Sequence, residues 1–354
     1  MGFDCDALII GGGPSGLITG SLISEKGFKT IILEEHSEIG KPEQCTGLVS
    51  WRIGAIPEKL VLNKIRTARF CFGEKCFEVS SSKKMLVIDR AGYDKYLADK
   101  ALEKMVEIRR GERAIGFKEN KVVTNRKNFY SSRILVGADG PNSIIAKLTG
   151  LKQPRSILFA IQYVAKGVFE QDVVELRFEP EFSKNAFAWV VPLSNSIAKV
   201  GLATEDNPVP RIRLFLKKFK LEAVGKPMGD SIRFGVISKA VAPRLILVGD
   251  AACQVKPFSF GGLVYGKICS EIAGEACVKA LEENIMEEKF LNEVYDLKWR
   301  KAIGGALRKG FYMRKLFSIV RKIPACFTLI KNLGLDLLAE KFLDPDFLKQ
   351  EQYC

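Results

Sequence analysis

Residues 7–10 form a short unbroken apolar run, residues 11–16 read Gly-Gly-Gly-Pro-Ser-Gly, and residues 17–23 carry apolar side chains at helical spacing. That succession predicts strand, tight turn and helix. Residues 29–33 are a second β-branched run ending at Glu34, 18 residues past Gly16, which completes a unit of βαβ length. Residues 68–72 and 75–79, split by Gly73-Glu74, predict an antiparallel hairpin. Helical spacing follows over 92–106, then strands at 122–124 and 133–136, the latter running into Gly137-Ala138-Asp139-Gly140. From about 157 to 204 the chain is strand-rich, with alternation at 173–178 and 187–191 that predicts an antiparallel sheet over a ligand pocket. Residues 244–248 return to a buried strand of the parallel type, Gly249-Asp250 ends it, and 261–281 is a long helix. Beyond Glu283 the spacing is helical to the end, with breaks expected at Gly304-Gly305 and Pro324. The fold class is therefore α/β: a Rossmann-like domain, an inserted antiparallel sheet domain and a helical C-terminal region. The expected boundaries are 1–60, 81–155 and 240–283 for the first, 61–80 and 156–239 for the second, and 284–354 for the third.

Composition narrows the class. The 354 residues are 47% hydrophobic and 27% charged, which describes a globular protein and excludes disordered and fibrous classes. An uncharged window at 7–24 has the length of a membrane span but contains five glycines, Pro14, three serines and Thr19, so no transmembrane helix is expected there. The glycine turn begins at Gly11, too early to leave room for a signal peptide, so a cytoplasmic protein is expected. Nine cysteines are too sparse for a disulfide scaffold, and reduced thiols are the expectation. Cys71 and Cys76 stand close together without a second pair or a histidine nearby, and His36 is the single histidine, expected solvated in the turn after Glu34; no metal site is expected.

The net charge of +14 is concentrated. Residues 297–335 hold ten basic residues and no acidic one, and subtracting those ten leaves +4 for the rest of the chain. Arg308-Lys309, Arg314-Lys315 and Arg321-Lys322 recur with Phe311, Leu316, Phe317, Ile319 and Val320 between them. This predicts a basic amphipathic helix that lies on an anionic membrane surface; no nucleic-acid recognition motif accompanies it.

The chemistry begins at Gly11-x-Gly13-x-x-Gly16. The first glycine permits the turn, the second lets backbone approach a pyrophosphate, and the third lets helix pack on strand, with Ser15 in the same turn and the phosphate at the positive helix end. Glu34 at the tip of the second strand is placed to accept ribose hydroxyls. Far downstream, Asp250 offers a carboxylate to a polyol, and Gly261, Gly262 and Leu263 open a helix whose N–H groups suit an anion.

These segments resemble the glutathione-reductase-type FAD fold of the aromatic hydroxylase group, and FAD is the implied cofactor. In that resemblance Arg90, within Asp89-Arg90-x-x-Tyr93-Asp94, contacts the cofactor, and the Ala114 backbone meets adenine. Within the group the chain is similar to the geranylgeranyl reductase family, including archaeal enzymes that saturate isoprenoid lipid chains. Lys41-Pro42-Glu43-Gln44-Cys45-Thr46-Gly47 resembles the family's Cys-containing loop beside the flavin, and Phe187-x-Trp189-x-Val191-Pro192 its lipid-pocket strand, with Val191 where the family has Phe and Lys184 where it often has Pro. The implied reaction is hydride transfer from reduced flavin N5 to a C=C bond of a geranylgeranyl or polyprenyl lipid or diphosphate, with protonation of the other carbon. Cys45 is the candidate catalytic residue, over the flavin with Thr46 and Gly47, or else simply a small buried side chain. The implied partners are a prenyl lipid and an electron donor, either a protein carrier such as ferredoxin or NAD(P)H; no second dinucleotide turn is present in the sequence. The basic stretch 297–335 thus predicts peripheral attachment to the inner face of the cell membrane, and the resemblance implies a prokaryotic, archaeal-like source. A flavin monooxygenase or halogenase, and a flavin electron carrier to quinone, are the alternative readings.

Overall fold

The structure, a computed structural model, describes residues 2–118 and 121–320. The chain opens with β1 (Cys5–Ile10), α1 (Pro14–Glu25), β2 (Thr30–Glu34), β3 (Leu48–Val49), β4 (Val61–Phe72), β5 (Lys75–Ile88) and α2 (Arg90–Glu103). It continues through β6 (Glu107–Arg110), β7 (Ala114–Lys118), β8 (Lys121–Thr124), β9 (Phe129–Tyr130), β10 (Ser132–Gly137), α3 (Ile144–Leu148), β11 (Ile157–Lys166), β12 (Val173–Arg177), β13 (Ala188–Pro192), β14 (Ile197–Thr204) and α4 (Pro208–Lys218). It closes with β15 (Glu222–Arg233), β16 (Val241–Ala242), β17 (Leu245–Leu247), α5 (Leu263–Glu283), α6 (Glu288–Leu291) and α7 (Leu297–Val320).

Two large sheets organise these elements. The first has the order β16-β17-β10-β1-β2-β6, parallel except for the short edge strand β16. Its inner strands are buried on both faces, which is why β1 and β2 are apolar without alternation. Helices α1 and α5 pack against each other on one face, closely enough that a Cβ on Gly274 would sit 2.7 Å from Leu22 Cβ. The second sheet has the order β15-β11-β14-β13-β12-β4-β5-β3. It is antiparallel as expected, with one exception: β12 runs parallel to β4. The two are separated by the whole excursion through α2 to β11, so no hairpin constrains their direction. The hairpin itself is longer than the alternation suggested, and residues 81–84 bulge from it, because Ile65 pairs with Met85 while Thr67 pairs with Ser80.

Two expectations are corrected. Cys71 and Cys76 face each other across β4 and β5 and form a disulfide, so the cysteines are not all reduced; direct opposition in an antiparallel ladder brings the two Cα atoms within 4.2 Å. Cys5, Cys45, Cys253, Cys269 and Cys277 are free thiols. The helix does not break at Gly304-Gly305; α7 runs through both. Trp299, Ile303, Ala306 and Leu307 of its first half are buried in the same core as α5 and the six-stranded sheet, and that burial outweighs two glycines at about 1 kcal/mol each. Pro324 and residues 321–335 of the basic stretch lie outside the described residues. Among the described residues, no helix is long and apolar enough to cross a membrane.

Candidate active site

Between the two sheets lies a cleft of about 980 Å³, its lining drawn from both sheets. One end is built by the glycine turn after β1. Gly11 has φ 110°, and a Cβ there would meet Ala138 O at 2.3 Å, so only glycine fits. Gly16 sits where a Cβ would lie 2.0 Å from Gly11 O, which fixes the entry of α1 against the turn. Gly13 faces open space on the cleft. It caps α1 with no side-chain acceptor, so the first N–H groups of that helix have no side-chain partner from their cap. Ser15 lies between Gly249 and Gly266, either of which would crowd its hydroxyl if it bore a Cβ. Glu34 is buried at this end: Oε2 accepts from the Gly12 N–H at 2.7 Å and Oε1 from the His36 N–H at 2.8 Å. His36 is therefore not simply solvated; its Nδ1 lies 2.7 Å from the same Glu34 oxygen. Ala114 and Asp139 complete this end.

The middle carries the cysteine loop. Cys45 is half-buried, and the Gly47 N–H donates to its sulfur at 3.4 Å. Arg90, at the start of α2, lines the cleft with Cys45 and hydrogen-bonds both oxygens of Asp94, at 3.0 and 3.2 Å. Burial works against the Arg90 charge, and the Cys45 and Asp94 contacts more than offset it, holding the guanidinium charged. The loop is tied to the second sheet at two points: Thr46 Oγ1 donates to Gln162 Oε1 at 3.0 Å, and the buried Lys199 of β14 pairs with Glu43. Asp250 follows β17, and Gly261, Gly262 and Leu263 lead into α5. Burial pushes the Asp250 carboxyl up to about 6, the nearby Arg90 charge opposing it.

The far end is apolar. Ala68 and Phe70 of β4, Met85 of β5, Val174 and Leu176 of β12, and Trp189 and Val191 of β13 line it. Each pair is two residues apart on its strand and so shares one face of the sheet. Phe187 joins them, 5.4 Å from Phe260 and 6.2 Å from Trp189 between ring centres.

The residues fit an FAD. Among the described residues, five side chains carry a buried polar atom with no hydrogen-bond partner, and four of these line the cleft: Arg90 Nε, Gln162 Nε2, Trp189 Nε1 and Ser259 Oγ. Orphaned donors are costly unless a ligand meets them. With Gly13 open and the half-buried Asp250 lining the same cleft, the site offers a pyrophosphate turn and a polyol acceptor.

Comparison with known proteins agrees. A family profile described as an FAD binding domain matches residues 4–48. An uncharacterized protein of Methanocaldococcus jannaschii is 31% identical, over 98% of this chain and 90% of its own length. Digeranylgeranylglycerophospholipid reductase 1 of Methanopyrus kandleri is 30% identical over 84% of this chain and 86% of its own. The chain belongs to the geranylgeranyl reductase family. It is an FAD-dependent oxidoreductase acting on C=C bonds. In fold it is similar to a geranylgeranyl bacteriochlorophyll reductase-like protein of Thermoplasma acidophilum, with a TM-score of 0.81 at 21% identity, covering 95% of this chain and 90% of that one. A flavin-dependent brominase shares the fold at a TM-score of 0.71 and 16% identity, covering 96% of this chain and 99% of that one.

Of the residues singled out from sequence, the cleft gathers Gly11, Gly13, Ser15, Glu34, Cys45, Thr46, Arg90, Ala114, Phe187, Trp189, Val191, Asp250, Gly261, Gly262 and Leu263. Gly16, Gly47 and Pro192 stand back from it. Gly16 and Gly47 shape backbone, and Pro192 ends β13 opposite Ala198 with its carbonyl accepting from Asn63 Nδ2 at 2.8 Å. Sequence reasoning missed Gln162, Lys256 and the Phe70, Met85 and Leu176 wall. The alternation at 173–178 was the available signal for Leu176; nothing local distinguishes Gln162 on β11 from a surface glutamine.

Proposed function

We propose that the protein reduces double bonds of geranylgeranyl chains borne by membrane phospholipids or prenyl diphosphates. One observation carries the reading: the dinucleotide turn and the apolar wall are two ends of one cleft, and Cys45 stands on the loop between them. Reduced FAD, when bound, supplies a hydride for one alkene carbon. The chain's own residues do the rest. Ala68, Phe70, Met85, Val174, Leu176, Trp189 and Val191 hold a branched hydrocarbon and exclude water. Cys45 is the group placed to give a proton to the second carbon, its sulfur oriented by the Gly47 N–H, with the Asp94-held Arg90 on the same cleft. Glu34, Ala114, Asp250 and the start of α5 hold the cofactor, and electrons reach it from a protein carrier or a visiting nicotinamide. Of the basic stretch, the exposed Lys298, Lys301, Arg308, Lys309 and Lys315 meet an anionic membrane, whereas Arg300 and Arg314 are committed to Asp296 and to the Asn185 carbonyl.

The test is single-turnover reduction. Dithionite-reduced holoenzyme mixed with a geranylgeranyl phospholipid should give product heavier by about 2 Da per double bond. No mass gain on either the phospholipid or geranylgeranyl diphosphate overturns the reading.

A further inference from the structure

Of the three tryptophans, Trp299 is buried and Trp189 lines the cleft, but Trp51 is 41% exposed. It follows directly on Leu48, Val49 and Ser50, all of which line the cleft, where the edge strand β3 gives way to a short turn of helix. Across from it, the bulge at 81–84 brings Lys83 Nζ to 3.8 Å from the Trp51 ring, and Met85, the next residue but one, lines the cleft again. Arg52 stacks on the same ring at 4.7 Å. Lys84 stands beside Lys83, and among the described residues neither lysine makes an ion pair. An exposed indole flanked by cations is the side-chain set that partitions to a lipid interface: the ring suits the depth of the headgroups, and the ammonium groups meet phosphate. Here the set forms a lip on the edge of the sheet whose inner face is the apolar wall.

We propose that this lip, Trp51 with Arg52, Lys83 and Lys84, is where the protein docks on the surface of an anionic phospholipid bilayer. A prenyl chain leaving the bilayer then enters the cleft past Leu48 and Met85 without crossing water. The assignment rests on the reading that the substrate is a membrane lipid. It is independent of residues 297–335, since the bulge and the helical turn are built by β3 and β5.

The test is flotation of the full-length holoenzyme with vesicles of phosphatidylglycerol and phosphatidylcholine, beside reduction of substrate dispersed in detergent. Lys83→Glu with Lys84→Glu should lower vesicle affinity about tenfold or more, with the loss shrinking as salt rises. Detergent-phase reduction and flavin content should be unchanged, as should binding of a Lys226→Glu control on β15. Wild type should also show tryptophan quenching by brominated lipid, and Trp51→Phe should abolish it. Unchanged flotation of the double variant overturns the proposal, as does loss of binding only on Arg321→Glu with Lys322→Glu. A raised KM for detergent-dispersed phospholipid, with flotation intact, overturns it too, because the lip would then be a headgroup subsite. Failure of detergent-phase reduction in the wild type bears on the substrate reading and leaves the flotation result standing.

Discussion

Cys45 and Asp250 line the same cleft, and their surroundings predict separate behaviour. Cys45 takes a hydrogen bond from the Gly47 N–H, a contact that aims a sulfur without contributing to the core. Cys45→Ala should therefore keep its FAD and its fold while slowing single-turnover alkene reduction by roughly 10²-fold, the lower range for loss of a proton donor. An unchanged rate would reduce Cys45 to packing. Asp250 is a matter of linkage. Burial raises its carboxyl from 3.8 to about 6, so in flavin-free protein the folded state holds a proton that the unfolded chain releases. Across that window the native state binds more protons, and stability falls as pH rises from about 4 to about 6, by about 2 to 3 kcal/mol for this group alone. Asp250→Asn should flatten this part of the denaturation profile, while the same change weakens flavin retention. Parallel pH profiles for wild type and variant would remove Asp250 from both roles.

At the scale of elements, what the sequence could reveal follows the range of the determining contacts. The turn from β1 to α1 was readable because its requirements are local: φ of 110° at Gly11, no room for a Cβ at Gly16, and an open face at Gly13. The cross-strand disulfide was not, because Cys71 and Cys76 meet through register in β4 and β5, which local spacing does not set. The run of α7 through Gly304 and Gly305 was also hidden. Glycine propensity argues for a break, and the burial that overrides it comes from α5 and the six-stranded sheet, far away in sequence. That conflict leaves a testable excess. Gly305 is exposed, and a Cβ there would touch nothing within 4 Å, so Gly305→Ala should stabilise the protein by about 0.5 to 1 kcal/mol through the unfolded chain. A drop in the midpoint of urea denaturation would mean that α7 is strained at this point.

At the scale of the whole molecule, the cleft is also a seam. The glycine turn, Glu34 and Asp250 belong to the six-stranded sheet and its loops; Gln162, Trp189 and the apolar wall belong to the eight-stranded one. The Cys45 loop crosses between them, held on the second sheet by the Glu43–Lys199 pair and by Thr46 on Gln162. Orphaned donors lie on both banks: Arg90 Nε at the start of α2 on one, Gln162 Nε2 and Trp189 Nε1 on the other. A ligand that satisfies both sets stabilises the native state by mass action, about 2.7 kcal/mol at a hundred times its Kd. The gain should not be spread evenly. Hydrogen exchange comparing flavin-free with flavin-loaded protein should slow most at 11–16, 41–47 and 249–263, where backbone meets the cleft, and least in α4, which packs on the β11 and β14 side of the second sheet and contributes nothing to the lining. Protection confined to 11–16 would mean that the cofactor engages one sheet only. The Cys45 loop would then be ordered by its own contacts, and the cysteine would be in place before any flavin arrives.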